Sequence, residues 1–443
     1  MQTSFRYILL LVGQFAIACC AAQVPGAKTL HVQRSSDKRP VPHATIQHNG
    51  VFGFADSLGK FLLNATGADT LIVSSVGFKP DTVVADAGFW RGNSKAMLLD
   101  TVLVDLVSVR AYTPKELLQR CLAQLQQLSK GAFLASSNYS ELVGTRESWK
   151  GISATSGYLF SNGYVDPKDE WGVNDAMIHT TIARSDYAIN RSRFKDEQAL
   201  LIDELFYFRK YIISHSLSFF ADPGSYQITK IVDDKDSAVP PLIRLDLQPL
   251  KKDIPGISQL WLSGEDLSII KIRFENFRFP GWMPIATYRN KSRKTKESLV
   301  AASYEMDLFT TPDGKIFYRG LTYEASYDNG IREFSRLLVE QLSPNPITPL
   351  SSKFFKVTYS ASINPSIQYR PMYRQQLFSN VPSRLLDEAA ADLGGWPVLE
   401  AQFKKHEGQY VHPWANSMDA QRQFQEQYIA GIITAIEKVK PFK

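Results

Sequence analysis

Between Pro40 and Pro80 the chain reads PVPHATIQHNGVFGFADSLGKFLLNATGADTLIVSSVGFKP, with short β-prone runs broken by turn residues every few positions. No other stretch constrains the fold as strongly, because runs this short between turns can pair only as strands. Ala44 to His48 is a short strand, and Asn49-Gly50 tolerates the positive φ at which two strands reverse. Phe52 to Ala55 follows, Asp56 to Gly59 turns the chain again, and Lys60 to Leu63 is the next strand. Leu71 to Val76 is the most β-prone run, and it stops near Pro80, which lacks the ladder donor. With Thr82 to Val84 and Ala96 to Leu99 added, the stretch predicts a small β-sandwich.

The pieces PVPHATI, ADSLGKFLL and DTLIVSSVGFKP, in that order, resemble the carboxypeptidase regulatory-like domain. That domain stands at the front of many cell-envelope proteins of Bacteroidetes-type bacteria. The resemblance implies a seven-stranded β-sandwich of the transthyretin (prealbumin) kind over residues 26–110, leaving through a strand at Leu103 to Arg110. Val51 to Asp56 replaces the family's Gly-Thr-x-Thr-Asp-x-x-Gly only loosely. The likeness speaks to fold and says almost nothing about activity.

Ahead of this module, Arg6 precedes an apolar run from Tyr7 to Ala18, and small residues follow up to Gln23. A basic start, a short apolar core and small residues make a secretory leader over residues 1–22. Cleavage before Gln23 fits the small-residue rule, while Ala16-Ile17-Ala18-Cys19 resembles a lipoprotein box that would leave a lipidated Cys19. Both outcomes stay open, and both place the chain in the periplasm or at the outer membrane and cell surface. Of the three cysteines, Cys121 alone lies beyond the leader, so the exported fold is expected to hold without an internal disulfide.

After the sandwich, Thr113-Pro114-Lys115-Glu116 is a helix start, with Thr as cap, Pro in the first turn and Glu completing a capping box. Leu117, Leu118, Cys121, Leu122, Leu125 and Leu128 then form one apolar stripe, predicting an amphipathic linker helix within residues 111–135. Cys121 lies on that stripe and reads as a buried, inert thiol. Residues 136–345 carry successive strand patterns separated by turns, among them Ser263 to Asp266 and Pro312 to Gly314. They predict a large, mostly antiparallel β-rich domain. Trp261 to Lys271 and Asp313 to Tyr318 resemble strands of lipoprotein-carrier-like half-barrels. Such a sheet encloses a lipid-sized cavity or a filled core, and the sequence leaves both open. A strand-like run at Phe354 to Ile363 and helices at Ser383 to Leu393, Trp396 to His406 and Met418 to Lys440 complete residues 346–443.

Chemistry is hard to find. None of the seven histidines (His31, His43, His48, His179, His215, His406, His412) has a Glu three residues on, as a zinc peptidase pair requires. His406-Glu407 with His412 has the wrong spacing for two ligands on one helical face. Gly151 to Gly157 lacks the nucleophile elbow, and Ser35 to Lys38 is a polar loop without the companion motifs of its class. Asp233-Asp234 and Glu265-Asp266 sit at turns without the other ligands of a calcium loop. Asp-Ser/Thr-apolar triplets such as Asp56-Ser57-Leu58 and Asp236-Ser237-Ala238 match an O-glycosylation pattern, yet they also mark turns feeding strands. The net charge of +6 is dispersed apart from Lys291 to Lys296, which lacks interleaved aromatics, so nucleic acid is not an expected partner.

The sequence therefore predicts no catalytic, metal or cofactor residues. It predicts a non-enzymatic envelope protein whose sandwich docks to other envelope proteins. The alternative is a periplasmic carrier of lipid or another hydrophobic ligand, and a hydrolase is a third reading without a motif to support it.

Overall fold

The computed structural model describes residues 27–48, 50–64, 69–75, 78–90, 92, 94–100, 112–125, 127, 133–161, 175–186, 226–234, 242–250, 259–264, 266–275, 299–311, 313–327, 330–344, 360–362, 378 and 380–405. The leader, the exit strand at 103–110, the basic run at 291–296 and the helix at 418–440 lie outside them.

The first seven strands make two layers. β1 (Ala27–Arg34) runs between β4 (Lys60–Asn64), antiparallel to it, and β7 (Ser94–Leu99), parallel to it. The second layer has the order β3 (Val51–Phe54), β2 (Thr45–His48), β5 (Asp69–Ser74), β6 (Asp81–Ala85). Leu30, Val32, Ile46, Phe61, Leu71, Val73, Met97 and Leu99 fill the space between the layers. Period-two alternation puts these side chains inward. At the turn before β4, the Asp56 carboxylate accepts from the N–H groups of Leu58 and Lys60, both at 2.8 Å. Gly59 completes that turn at φ +69°, where a β-carbon would meet the Val32 carbonyl.

The second sheet is larger and curls into a half-barrel. Its order is β11 (Tyr226–Asp234), β12 (Leu242–Pro249), β13 (Gln259–Ser263), β14 (Ile269–Phe274), β15 (Leu299–Thr310), β16 (Ile316–Tyr327), β17 (Ile331–Ser343). From β17 it continues through β8 (Phe133–Thr145), β9 (Trp149–Ser161), β10 (Asp175–Arg184) and β18 (Ser360–Ser362). All of these pairs are antiparallel except β10 with β18. Helix α1 (Pro114–Leu125) lies on one face, while α2 (Ser383–Asp392) and α3 (Trp396–Lys405) lie on the other.

The sandwich and the half-barrel share β3. Past the point where β16 stops pairing with β17, β3 takes its place, with Gln341 opposite Gly53 and Leu342 opposite Phe52. Phe52 and Phe54 enter the half-barrel core, whereas Gly53 and Ala55 face the sandwich core. The two units are thus joined through a hydrogen-bonded sheet. Among the described residues of 111–135, helix occupies Pro114–Leu125, and strand begins at Phe133.

The capping box at the start of α1 forms as the sequence predicts. Glu116 N–H donates to Thr113 Oγ1 at 3.3 Å, and Thr113 N–H donates back to Glu116 Oε2 at 2.8 Å. The Thr113 N–H and hydroxyl, both donating to it, hold the exposed Glu116 carboxyl below its ordinary range.

Candidate functional site

The half-barrel's two faces differ in chemistry. On β12 the inward positions are Ile243, Leu245 and Leu247; on β15 Tyr304, Met306 and Leu308; on β17 Leu337 and Val339. Together with residues of β8, β9, β11, β13, β14 and β16 they form one contiguous apolar cluster. Laid flat, nine strands would span about 40 Å, at roughly 4.8 Å each. A twelve-residue helix is only about 18 Å long. One cluster therefore reaches from β11 to β9 because the sheet curls around this face.

Helix α1 lies against the face with Leu117, Leu118, Cys121 and Leu125, all buried. Burial pushes the Cys121 thiol up to about 12, so it stays protonated and unreactive. A polar clasp fixes the helix. Gln124 Nε2 donates to the Leu267 carbonyl at 2.8 Å, and the Ile269 N–H donates to Gln124 Oε1 at 2.7 Å. Arg120 adds a bond to the Asp266 carbonyl at 3.3 Å. The clasped turn contains Leu267 at φ +60°, a left-handed conformation uncommon for a branched side chain, yet Leu267 is buried.

Strand register gives the face two unlike ends. At the helix end lie the clasped turn and an aromatic cluster from β3, β8, β15 and β16. Phe54 meets Phe309 edge-on at 4.9 Å, Phe309 stacks on Phe317 at 5.7 Å, and Phe133 meets Tyr318 at 5.3 Å. Towards the opposite end the same face carries two buried acids. Tyr139 Oη donates to Glu141 Oε2 at 2.9 Å, and Tyr327 Oη donates to Glu333 Oε2 at 3.1 Å.

The outer face is polar. Lys271 on β14 contacts Glu305 at 2.6 Å and Asp307 at 3.3 Å, and Arg336 on β17 approaches Asp307 at 3.5 Å. Burial alone would raise the Asp307 carboxyl; Lys271, Arg319 and Arg336 outweigh it and hold the group below its usual range. Arg319 donates to the His43 carbonyl at 3.2 Å, which ties the sandwich to this cluster. His43 falls to about 4, through burial first and the nearby Arg319 charge second, so it stays neutral. Further along the same face, Phe334, Leu142, Ile152 and Ala154 pack against Ala389, Leu399 and Phe403 of α2 and α3.

The residues weighed for catalysis are scattered. His31 lies on β1, His48 on β2 and His179 on β10, while His215, His406 and His412 lie outside the described residues. Ser153 and Ser156 sit mid-strand on β9, and Lys38 Nζ donates to the Ser35 carbonyl within a surface turn. Asp233 and Asp234 end β11, and Asp266 belongs to the clasped turn. Among the described residues no group of His, Cys, Asp and Glu side chains could hold a metal ion, and no helix is long and apolar enough to cross a membrane. The acids at the far end were not singled out from sequence. The available signal was an acid at an inward position of an otherwise apolar strand, as at Glu333.

No family model matches the chain, and no curated protein matches it. Among solved structures, a LolA superfamily protein from Nitrosomonas europaea is 11% identical with a TM-score of 0.21, covering 53% of this chain and 96% of its own. A DUF1329 family protein from Desulfovibrio piger is 11% identical with a TM-score of 0.23, covering 55% of this chain and 98% of its own. Lipovitellin, in a structure describing lipid–protein interactions, is 10% identical with a TM-score of 0.17, and 27% of its chain is covered. Likenesses of this size assign neither family nor ligand.

Proposed function

We propose that the chain is an exported carrier for a lipid or another hydrophobic ligand, with the inner face of the half-barrel as binding surface and α1 as its cover. One observation carries the reading: an apolar face nine strands wide is overlaid, among the described helices, by a single short helix. That helix is held by side-chain bonds to one turn. The chemistry is binding rather than turnover, since the inner face offers aliphatic and aromatic contact with a few polar groups. Export follows from the leader read in the sequence.

The test is extraction of the purified full chain with organic solvent, followed by mass spectrometry and titration with the fluorescent probe N-phenyl-1-naphthylamine. A stoichiometric lipid or saturable probe binding is expected. A protein with no extractable ligand and no saturable binding would end the carrier reading.

Docking through the sandwich is the second reading. Leu58, Leu62, Val84 and Leu98 are exposed large apolar side chains on that module. Crosslinking in intact cells supports docking if a defined envelope protein is recovered through this surface.

A further inference from the structure

The acid end of the inner face holds an unsatisfied polar group. On β17, Glu333 and Ser335 both point inward, and Ser335 stands directly opposite Glu141 of β8 and Tyr323 of β16. Ser335 is 0% exposed, and its hydroxyl has no hydrogen-bond partner. A buried hydroxyl without a partner is rare in a native interior, because desolvation is then uncompensated. The two carboxylates beside it are 7% and 2% exposed. Each accepts from a tyrosine hydroxyl, and a carboxylate has several lone-pair sites. The neighbourhood is thus rich in acceptors and negative charge, one diagonal step apart across adjacent strands.

We propose that Glu141, Glu333 and Ser335 form a head-group site for a primary ammonium carried on an alkyl chain. The assignment rests on the carrier reading and deepens it. A primary ammonium has three N–H donors, and the site presents three acceptor groups: two carboxylates and one hydroxyl. Its charge is balanced in a low-dielectric setting where an anionic head would be repelled. The alkyl chain then runs along the apolar face towards α1 and the aromatic cluster. The ligand thus lies with its charge at the acid end and its tail at the helix end.

The experiment is displacement of N-phenyl-1-naphthylamine from the full chain by dodecylammonium, dodecanol and dodecanoate, each below its micellar concentration at pH 7. Dodecylammonium is expected to displace the probe at about tenfold lower concentration than either competitor, the scale of charge-assisted hydrogen bonds in a buried site. Glu141→Gln, which keeps shape and removes one of the two carboxylates, should lower that ratio, and so should Ser335→Ala. Thermal melts of both variants establish that they fold, and the wild-type series decides the matter if either does not. Equal displacement by all three compounds, or a preference undiminished in folded Glu141→Gln, overturns the head-group site while leaving the carrier intact. Absence of saturable probe binding overturns the carrier itself, which is a different result.

Discussion

Gly53 and Phe61 meet face to face inside the sandwich, so closely that a β-carbon on Gly53 would stand 2.5 Å from Phe61 Cζ. Both flanking residues of Gly53 are phenylalanines of other allegiance or edge positions: Phe52 and Phe54 serve the half-barrel core, leaving the sandwich side of β3 flat for the Phe61 ring. Gly53→Ala should therefore cost about 1–3 kcal/mol through overpacking. Urea denaturation checks the loss, and Phe61→Leu in the same chain should recover part of it. A neutral Gly53→Ala would mean that the ring moves aside freely.

The clasp of α1 predicts a local effect. Gln124→Ala removes two hydrogen bonds and strands the Leu267 carbonyl and the Ile269 N–H. The expected cost is about 1–3 kcal/mol. Thiol labelling of the peptide carrying Cys121, read by mass spectrometry, should accelerate in the variant, because the buried thiol becomes reachable only when α1 lifts. Labelling that tracks global unfolding in both proteins would show that the helix does not open separately.

His43 makes stability depend on acid. Its folded-state pKa lies near 4 against 6.5 for the free side chain. Between those values the unfolded chain binds a proton that the folded chain refuses. Stability is thus full above pH 6.5 and falls as pH drops towards 4, by up to about 3 kcal/mol. His43→Asn, which also tolerates the φ of +58° found there, should flatten this slope. Denaturant midpoints measured from pH 4 to 7 decide it.

Glu340 pushes the other way. Burial raises its carboxyl to about 7, against a smaller lowering by the Asn138 amide. Here the unfolded chain releases its proton first, so stability is lost as pH rises from about 4.5 through 7. Glu340→Gln should gain about 1–2 kcal/mol at pH 8 and little at pH 4. A variant less stable at pH 8 would show that the ionised carboxylate makes contacts worth more than its burial costs.

Much of the fold is legible because local chemistry and tertiary structure agree. The capping box of Thr113 and Glu116, the β13–β14 hairpin and the turn from Asp56 to Gly59 form where their residues predict. β8 escapes notice because FLASSNYSELVGT has no clean alternation. Its polar residues are buried against distant partners, as Ser140 is by Asn380 and Asn138 by Glu340. β17 is obscured by a bulge beside Glu340, which breaks the period of two. The acid site is less legible still. Glu141 and Ser335 carry no shared motif and become neighbours only when β17 pairs with β8.

The shared strand also sets an order of events for a chain synthesised from its N-terminus. The sandwich emerges first, but the edge of β3 finds its partner only when Gln341 and Leu342 arrive, nearly three hundred positions later. Until then Phe52 and Phe54 have no core to enter, and an unpaired strand edge stands beside two bare aromatic rings. The nascent protein must carry this adhesive seam until β17 closes it. Holdase chaperones would find their natural grip there.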